Sequence, residues 1–275
     1  MEQHLDNIDY ADPAFWRLTV CMGAGRLYAC LRNTSAPDVP LRTLVSRTWT
    51  APPEETLRHI ENAVYDNPSV LDDYSADIVI ESDKALWVPA AMTADEDSVA
   101  DAYRMVYDAA PDDVFCDTEG SASCLYHLTD GLAAFIRRTF PGARVTSQHT
   151  QLYRHFRRQP AEGDTLHADL RGDKADIIII RRGELLHSST HGASTPREAQ
   201  YHILNCLLTA GADMTSTEVL VSGPKERRRE LTALLREQLP IVRSALLPAI
   251  AGADPEMPTA ALLRAAAVRP ATESV

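Results

Sequence analysis

The sequence predicts an α/β protein built from two related halves, each a mixed sheet flanked by helices. Three observations carry that expectation. The stretch from Asp164 to Gly211 reads as three extended segments in succession and then a helix. Leu166 to Leu170, Ala175 to Ile180 and Glu184 to Ser188 are joined through Gly172-Asp173 and Arg182-Gly183. Each pair holds the glycine that lets a two-residue hairpin turn reach positive φ. The middle segment carries consecutive isoleucines, Ile177 to Ile180, a β-branched run that suits a strand covered on both faces. Finally, a hairpin, a third strand, a crossover helix, then strand and helix also open the N-terminal half, with negligible identity between the two stretches.

In chain order, Arg17 to Met22 and Arg26 to Leu31 are expected as strands joined at Gly23-Ala24-Gly25, with Leu41 to Trp49 as a third. Pro52-Pro53 opens a helix with Leu57, Ile60 and Val64 on one face. Asp77 to Glu81 is a short strand that turns at Ser82-Asp83 into another, Leu86 to Val88. Thr93 and Glu96 have capping-box spacing ahead of Val99, Ala102, Tyr103 and Val106 at helical intervals. Val114 to Asp117 and Ala122 to Leu128 form a hairpin around Glu119-Gly120. Thr129 then caps a helix carrying Leu132, Phe135, Ile136 and Phe140, ended by Pro141-Gly142. Ala143 to Ser147 is a strand and Gln151 to Arg157 is helical. A polar connection, Gln159 to Asp164, leads into the three strands already described.

The helix that follows them starts with Thr195 as N-cap, Pro196 at N1 and Glu198 completing a capping box. Tyr201, Ile203, Leu204, Leu207 and Leu208 make its apolar stripe, and Gly211 is its C′ residue. Glu218 to Val221 is the next strand and Lys225 to Leu239 the next helix. The Ala/Leu-rich end is cut by Pro248, Pro255 and Pro258 and reads as a tail.

Consecutive hairpins at the start of each half argue against an ordinary doubly wound domain, because parallel strands need crossover helices between them. The paired order is that of a duplicated ribonuclease-H-like fold, the architecture of actin, hexokinase and the chaperone ATPases. The expected division is an N-terminal half at 1–158, a C-terminal half at 164–250 and a C-terminal tail at 251–275.

Further features carry a family resemblance over Arg17 to Leu247: Phe140-Pro141 before a strand, Ser147-Gln148-His149, the strand from His167, the apolar strand from Ile177, Gly183-Glu184-Leu185-Leu186, Tyr201-His202-Ile203-Leu204, and Leu220-Val221-Ser222-Gly223. In their order and spacing the chain resembles an uncharacterised bacterial family, a domain of unknown function with an actin-like ATPase fold. That family is related in fold to bacterial actin homologues of cell division and pilus assembly. The resemblance implies the fold and no particular activity.

An actin-like ATPase holds phosphates on the backbone amides of two hairpin turns, with carboxylates arranging Mg²⁺ and water. The candidate turns are Gly23 to Gly25 and Asp169 to Gly172, and Ser222-Gly223 stands where adenosine would bind. The first strand ends in Cys21-Met22 where the superfamily has an Asp, and the second turn has one residue too many. For Asp169 a turn-bonding role, and for Ser222-Gly223 a helix-capping turn, are the plainer readings. ATP and Mg²⁺ are therefore the cofactors that the fold permits and the eroded turns disfavour. Asp12 or Asp117, brought to the first turn by the fold, would restore an ATPase reading.

His167, His187 and His191 suggest metal ligands, but strand geometry alone gives no reason for them to converge, so no metal site is expected. Ser188-Ser189-Thr190 lacks a nucleophile elbow, and Gly23-Ala24-Gly25 is not a dinucleotide fingerprint because Tyr28 stands at the third glycine. Cys116 and Cys124 could face one another across a hairpin, but the scattered, odd set of five cysteines fits reduced thiols better.

Lys and Arg number 27 against 39 Asp and Glu, a formal charge of −12, which argues against nucleic acid or an anionic membrane as the main partner. No run approaches the ~18 apolar residues of a membrane helix. The N-terminus has neither the basic nor the apolar segment of a signal peptide, so the expected compartment is the cytoplasm. The leading expectation is a non-catalytic protein that binds a protein partner, a pseudoenzyme in the ATPase superfamily; the alternative is an ATP-binding protein or ATPase. A sugar-kinase type is the weakest reading, since no substrate-domain insertion is visible.

Overall fold

The computed structural model describes residues 13–36, 38–159 and 163–267. Strands β1 (Trp16–Gly23), β2 (Arg26–Asn33), β3 (Arg42–Thr48), β4 (Ser75–Glu81) and β8 (Arg144–Ser147) form a first sheet in the order β3–β2–β1–β4–β8. Strands β9 (Thr165–Arg171), β10 (Lys174–Arg181), β11 (Glu184–Gly192), β12 (Glu218–Ser222) and β13 (Val242–Ser244) form a second in the order β11–β10–β9–β12–β13. The two correspond strand for strand. In each, the opening three strands pair antiparallel, and the last two join in parallel. Even the irregularity recurs: the second and third strands slip register at Ala29/Cys30 and at Ile179/Ile180. This is the duplicated ribonuclease-H-like arrangement expected from the sequence.

The turns form as their residues dictate. Arg182 and Gly183 both take positive φ, 53° and 81°, and close the β10–β11 hairpin. The isoleucine run splits by the strand period of two. Ile177 and Ile179 pack with α5 (Pro196–Thr209) and α6 (Lys225–Arg236), whose Ile203, Leu207, Leu231 and Leu235 share their cluster. Ile178 and Ile180 face the other way, onto Leu152, Tyr153 and Phe156 of α4 (Gln148–Phe156). Helix α5 starts with the full capping box of Thr195 and Glu198, and Pro196 lies in its first turn. The first sheet buries Leu18, Val20, Ile78 and Ile80 against α1 (Thr56–Tyr65) and α3 (Leu132–Thr139), through Ile60, Val64, Leu132 and Phe135.

Several local expectations need correction. β4 does not turn back at Ser82-Asp83. Instead β5 (Lys84–Pro89) joins β6 (Phe115–Glu119) and β7 (Ala122–His127) in a separate sheet, ordered β5–β7–β6. Ser82 makes a corner, its hydroxyl bonded to the His127 carbonyl and its backbone paired with the Gln148 amide. The small sheet and α2 (Glu96–Arg104) are thus an insertion in the first half, where none was visible in the sequence. Asp95, not Thr93, caps α2 by accepting from the Ser98 amide at 2.8 Å. Helix α3 is capped from a distance: Asp113 accepts the Gly131 and Ala133 amides at 2.7 and 3.0 Å, so Thr129 is not its cap. Cys116 sits opposite Leu125 and Asp117 opposite Cys124, which puts the two thiols on opposite faces, and all five cysteines are free.

The stretch expected as a tail holds a helix, α7 (Thr259–Ala266), that closes the first half. Met257, Ala260, Ala261 and Ala265 pack on Cys21, Tyr28, Cys30 and Val79. Arg264 bonds Asp77, which also takes Arg17 at 2.8 Å, and Arg32 donates to the Ala265 carbonyl. At its other end Thr259 donates to Asp169 of the second sheet, so α7 is tied to both halves.

Candidate functional site

A cavity of about 870 Å³ opens between the halves, at the ends of β1 and β9. The β1–β2 turn, Gly23 to Gly25, forms one wall; Asp169 to Gly172, Gly223 and residues 253–259 of the C-terminal stretch form others. The fold therefore brings Gly23, Gly25, Asp169, Gly172 and Gly223 to one cleft. Ser222 lies behind them, fully buried. Two of these glycines stand in tight quarters, and at Gly223 nothing larger fits. At Gly223, with φ 107°, a Cβ would overlap the Leu170 carbonyl. At Gly23 a Cβ would stand 2.9 Å from the Glu81 carboxylate, so its absence lets that acid reach the first turn. The turn is fixed in turn by Trp49, whose Nε1 donates to the Ala24 carbonyl at 2.7 Å.

Glu81 is the functional candidate that sequence reasoning missed. It ends β4 beside Gly23 in the parallel register, and β12 ends in Ser222 at the equivalent place beside Asp169. A charged residue closing the buried run Ile78-Val79-Ile80 was the available signal, since ligands of open sheets gather at carboxyl ends of strands. Of the acids weighed for this role, Asp117 is buried elsewhere and accepts from Tyr126, Thr146 and the Ser147 amide. Asp12 lies outside the described residues.

Glu81, Asp83 and Asp169, three of the acids lining the cleft, are engaged by protein groups. Arg26 grips Glu81 with two donors, one at 2.6 Å. Asp83 takes Arg171 at 2.6 Å and Lys174 at 3.4 Å. Asp169 is no turn residue; it sits inside β9, where its Oδ1 accepts from both Ser222 and Thr259. Ser222 is occupied by Asp169 and His167, and does not cap α6. Arg227 lies across the second turn, bonded to the Gly172 and Ala193 carbonyls. Acidic side chains lining the cleft are at least as numerous as basic ones, so it presents no net positive field.

Burial pushes the Asp169 carboxyl up to about 6, against the two hydroxyl hydrogen bonds that favour its charge. An unfolded aspartate titrates near ~3.9. The folded chain thus holds this proton more tightly, and the group favours the native state at low pH and loses that contribution as pH rises through about 6. Ionisation costs about 3 kcal/mol by this reckoning. Asp169→Asn keeps one carbonyl oxygen for both hydroxyls and removes the charge. The variant is therefore expected to gain stability relative to the parent between pH 4.5 and pH 8, with His149 and His167 cancelling because both chains carry them. Paired thermal melts check this; an identical stability difference at both pH values would rule out the strained carboxylate.

A second cluster departs from expectation. His187 and His191 do converge, with Cys206 of α5 in place of His167. His167 is buried against Phe156, its ring titrating near 3 through burial.

Cleft, twin sheets and paired turns define a member of the actin-like ATPase fold class. A protein of Bacteroides thetaiotaomicron with an actin-like ATPase fold and unknown function matches with TM-score 0.72 at 16% identity, over 86% of this chain and 92% of its own. A chain of a PilM–PilN type IV pilus biogenesis complex matches with TM-score 0.50 at 13% identity, over 83% and 88%. No curated protein matches. The chain belongs to the DUF3822 family, a family of unknown function whose model matches residues 6–242. Among the described residues no helix is long and apolar enough to cross a membrane.

Proposed function

We propose that this protein is a non-catalytic, partner-binding member of the actin-like superfamily that works in the cytoplasm and does not turn over nucleotide. One observation carries the reading: three of the carboxylates lining the cleft are already engaged. Glu81 is held by Arg26, Asp83 by Arg171 and Lys174, and Asp169 by two hydroxyls. Hydrated Mg²⁺ prefers free oxygen ligands, and phosphoryl transfer needs metal, water and charge neutralisation held together. The Cys21 thiol at the end of β1 is buried and its pKa pushed well up, so it substitutes for no carboxylate. A structurally similar chain sits in a PilM–PilN complex, which favours a role within an assembly.

ATP binding without hydrolysis is the second reading, favoured because both turns and Gly223 line one cleft. Titration calorimetry with ATP and Mg²⁺, together with a phosphate-release assay, separates the two. The expected result is no phosphate release and binding that is weak or undetectable. Micromolar binding abolished by Asp169→Ala would overturn the non-catalytic reading and assign Asp169 and Gly172 to a phosphate turn. The partner half is tested by crosslinking in source cells, followed by calorimetry on each purified pair; no pair with measurable affinity would count against it.

A further inference from the structure

Away from the cleft, edge strand β11 meets helix α5. His187, Ser189 and His191 alternate along β11, and the strand period of two sets them on one face. Helix α5 approaches that face with His202 and Cys206, one turn apart. One nitrogen of each β11 histidine and the Cys206 Sγ lie within 4.8 Å of one another. The His191 Nε2 stands 3.6 Å from that sulfur. A tetrahedral zinc ion, with Zn–N of about 2.0–2.1 Å and Zn–S of about 2.3 Å, spans about 3.5 Å between two such donors. Ser189 Oγ lies 2.8 Å from each Nε2 and 3.8 Å from the sulfur, beside all three donors. The His191 ring is held by stacking on His202, centroids 4.3 Å apart and planes 12° from parallel.

We propose that His187, His191 and Cys206 bind a divalent transition-metal ion, zinc foremost. Two imidazoles and a thiolate are borderline-soft donors, which suit zinc and cobalt and not Mg²⁺ or Ca²⁺. An ordinary imidazole, with a pKa of ~6.5, is mostly neutral and able to ligate near pH 7. Cys206 is buried as a thiol; its proton leaves to solvent when the sulfur takes the metal. Three protein donors leave a fourth position for water or the Ser189 hydroxyl. Cys206 lies beneath the site while the histidines are half-buried, so the ion enters from the open side of β11. There it ties an edge strand to the helix that covers it.

The test is cobalt and zinc titration of the full chain after stripping with chelator. The expected signature is a thiolate-to-cobalt charge-transfer band with the intense visible bands of tetrahedral cobalt, saturating at one ion per chain and displaced by zinc. Cys206→Ser should abolish the band, whereas Cys116→Ser, which removes the exposed cysteine, should leave it unchanged. His187→Ala should weaken affinity at least tenfold and remove the rise in melting temperature that zinc gives the parent. It alters a half-buried side chain on an edge strand, so it keeps the test interpretable if Cys206→Ser misfolds. A weak octahedral cobalt spectrum without charge transfer, or a band that survives Cys206→Ser, would reduce the cluster to hydrogen bonding and overturn the proposal.

Discussion

Arg171→Met is expected to cost about 3–5 kcal/mol at neutral pH, the usual penalty for removing one partner of a buried ion pair. Arg171 donates to Asp176 at 2.7 and 3.2 Å and continues to Asp83 of the first half. Asp176 is completely buried. Burial raises its pKa, but Arg171, His149 and the hydrogen bonds outweigh burial and hold it below the ordinary value. Its charge thus stabilises the parent above the unfolded aspartate pKa, and that contribution is lost as pH falls through the depressed folded value. Without Arg171 the balance reverses: the carboxyl is left with Thr190 at 2.6 Å and His149 at 3.8 Å. The loss should therefore be largest at high pH and shrink on acidification. Urea midpoints at pH 5 and pH 8 check it. Arg171→Met with Asp176→Leu should recover much of the loss, since the cost lies in the orphaned charge. A double variant no more stable than Arg171→Met alone would mean that the arginine acts through Asp83 and the junction between halves.

Ile178→Asp should cost at least about 4 kcal/mol, because it puts an unpaired carboxylate into an apolar cluster. Ile178 has no exposed surface and packs with Leu152, Tyr153 and Phe156 from one half and Leu220 from the other. The substitution thus damages the junction as well as the strand. Ile178→Val, which removes one methylene, should cost about 0.5–1.5 kcal/mol. The gap between them comes mainly from burying the carboxylate. Ile179→Asp should be comparably severe through the opposite face, under α5 and α6. An unchanged melting temperature in both aspartate variants would remove β10 from the core.

The architecture was legible wherever local chemistry and tertiary role agree. The Thr195 box, the Arg182-Gly183 turn and the isoleucine run each state their structure within a few residues, and each stands as read. The misses share a cause: the deciding partner is distant in sequence. Asp113 caps α3 from 18 and 20 residues away. β5 leaves β4 for a different sheet because Ser82 is fixed by Gln148, 66 positions on. Proline was read as an interruption before α7, whereas Pro258 occupies its N-cap position. At the cleft, the glycines declared themselves through the turns they permit. Glu81 did not, because only the parallel pairing of β1 with β4 sets it beside Gly23. Of the three donors of the proposed metal site, His187 and His191 were singled out from the sequence, but Cys206 was hidden, since it comes from a helix that no strand pattern links to His187.

Helix α7 sets a timetable for biosynthesis. The first sheet's Cys21, Tyr28, Cys30 and Val79 wait for Met257, Ala260, Ala261 and Ala265 to cover them. At about 5–20 residues per second, the ribosome takes roughly ten to forty seconds to travel from β4 to α7. Throughout that interval an apolar face of the N-terminal half stays bare and buried Asp77 lacks its Arg264 partner. The half that emerges first is thus the one that finishes last. A nascent chain stalled before residue 257 exposes the same surface, and it is there that a holding chaperone or a degradation signal would act.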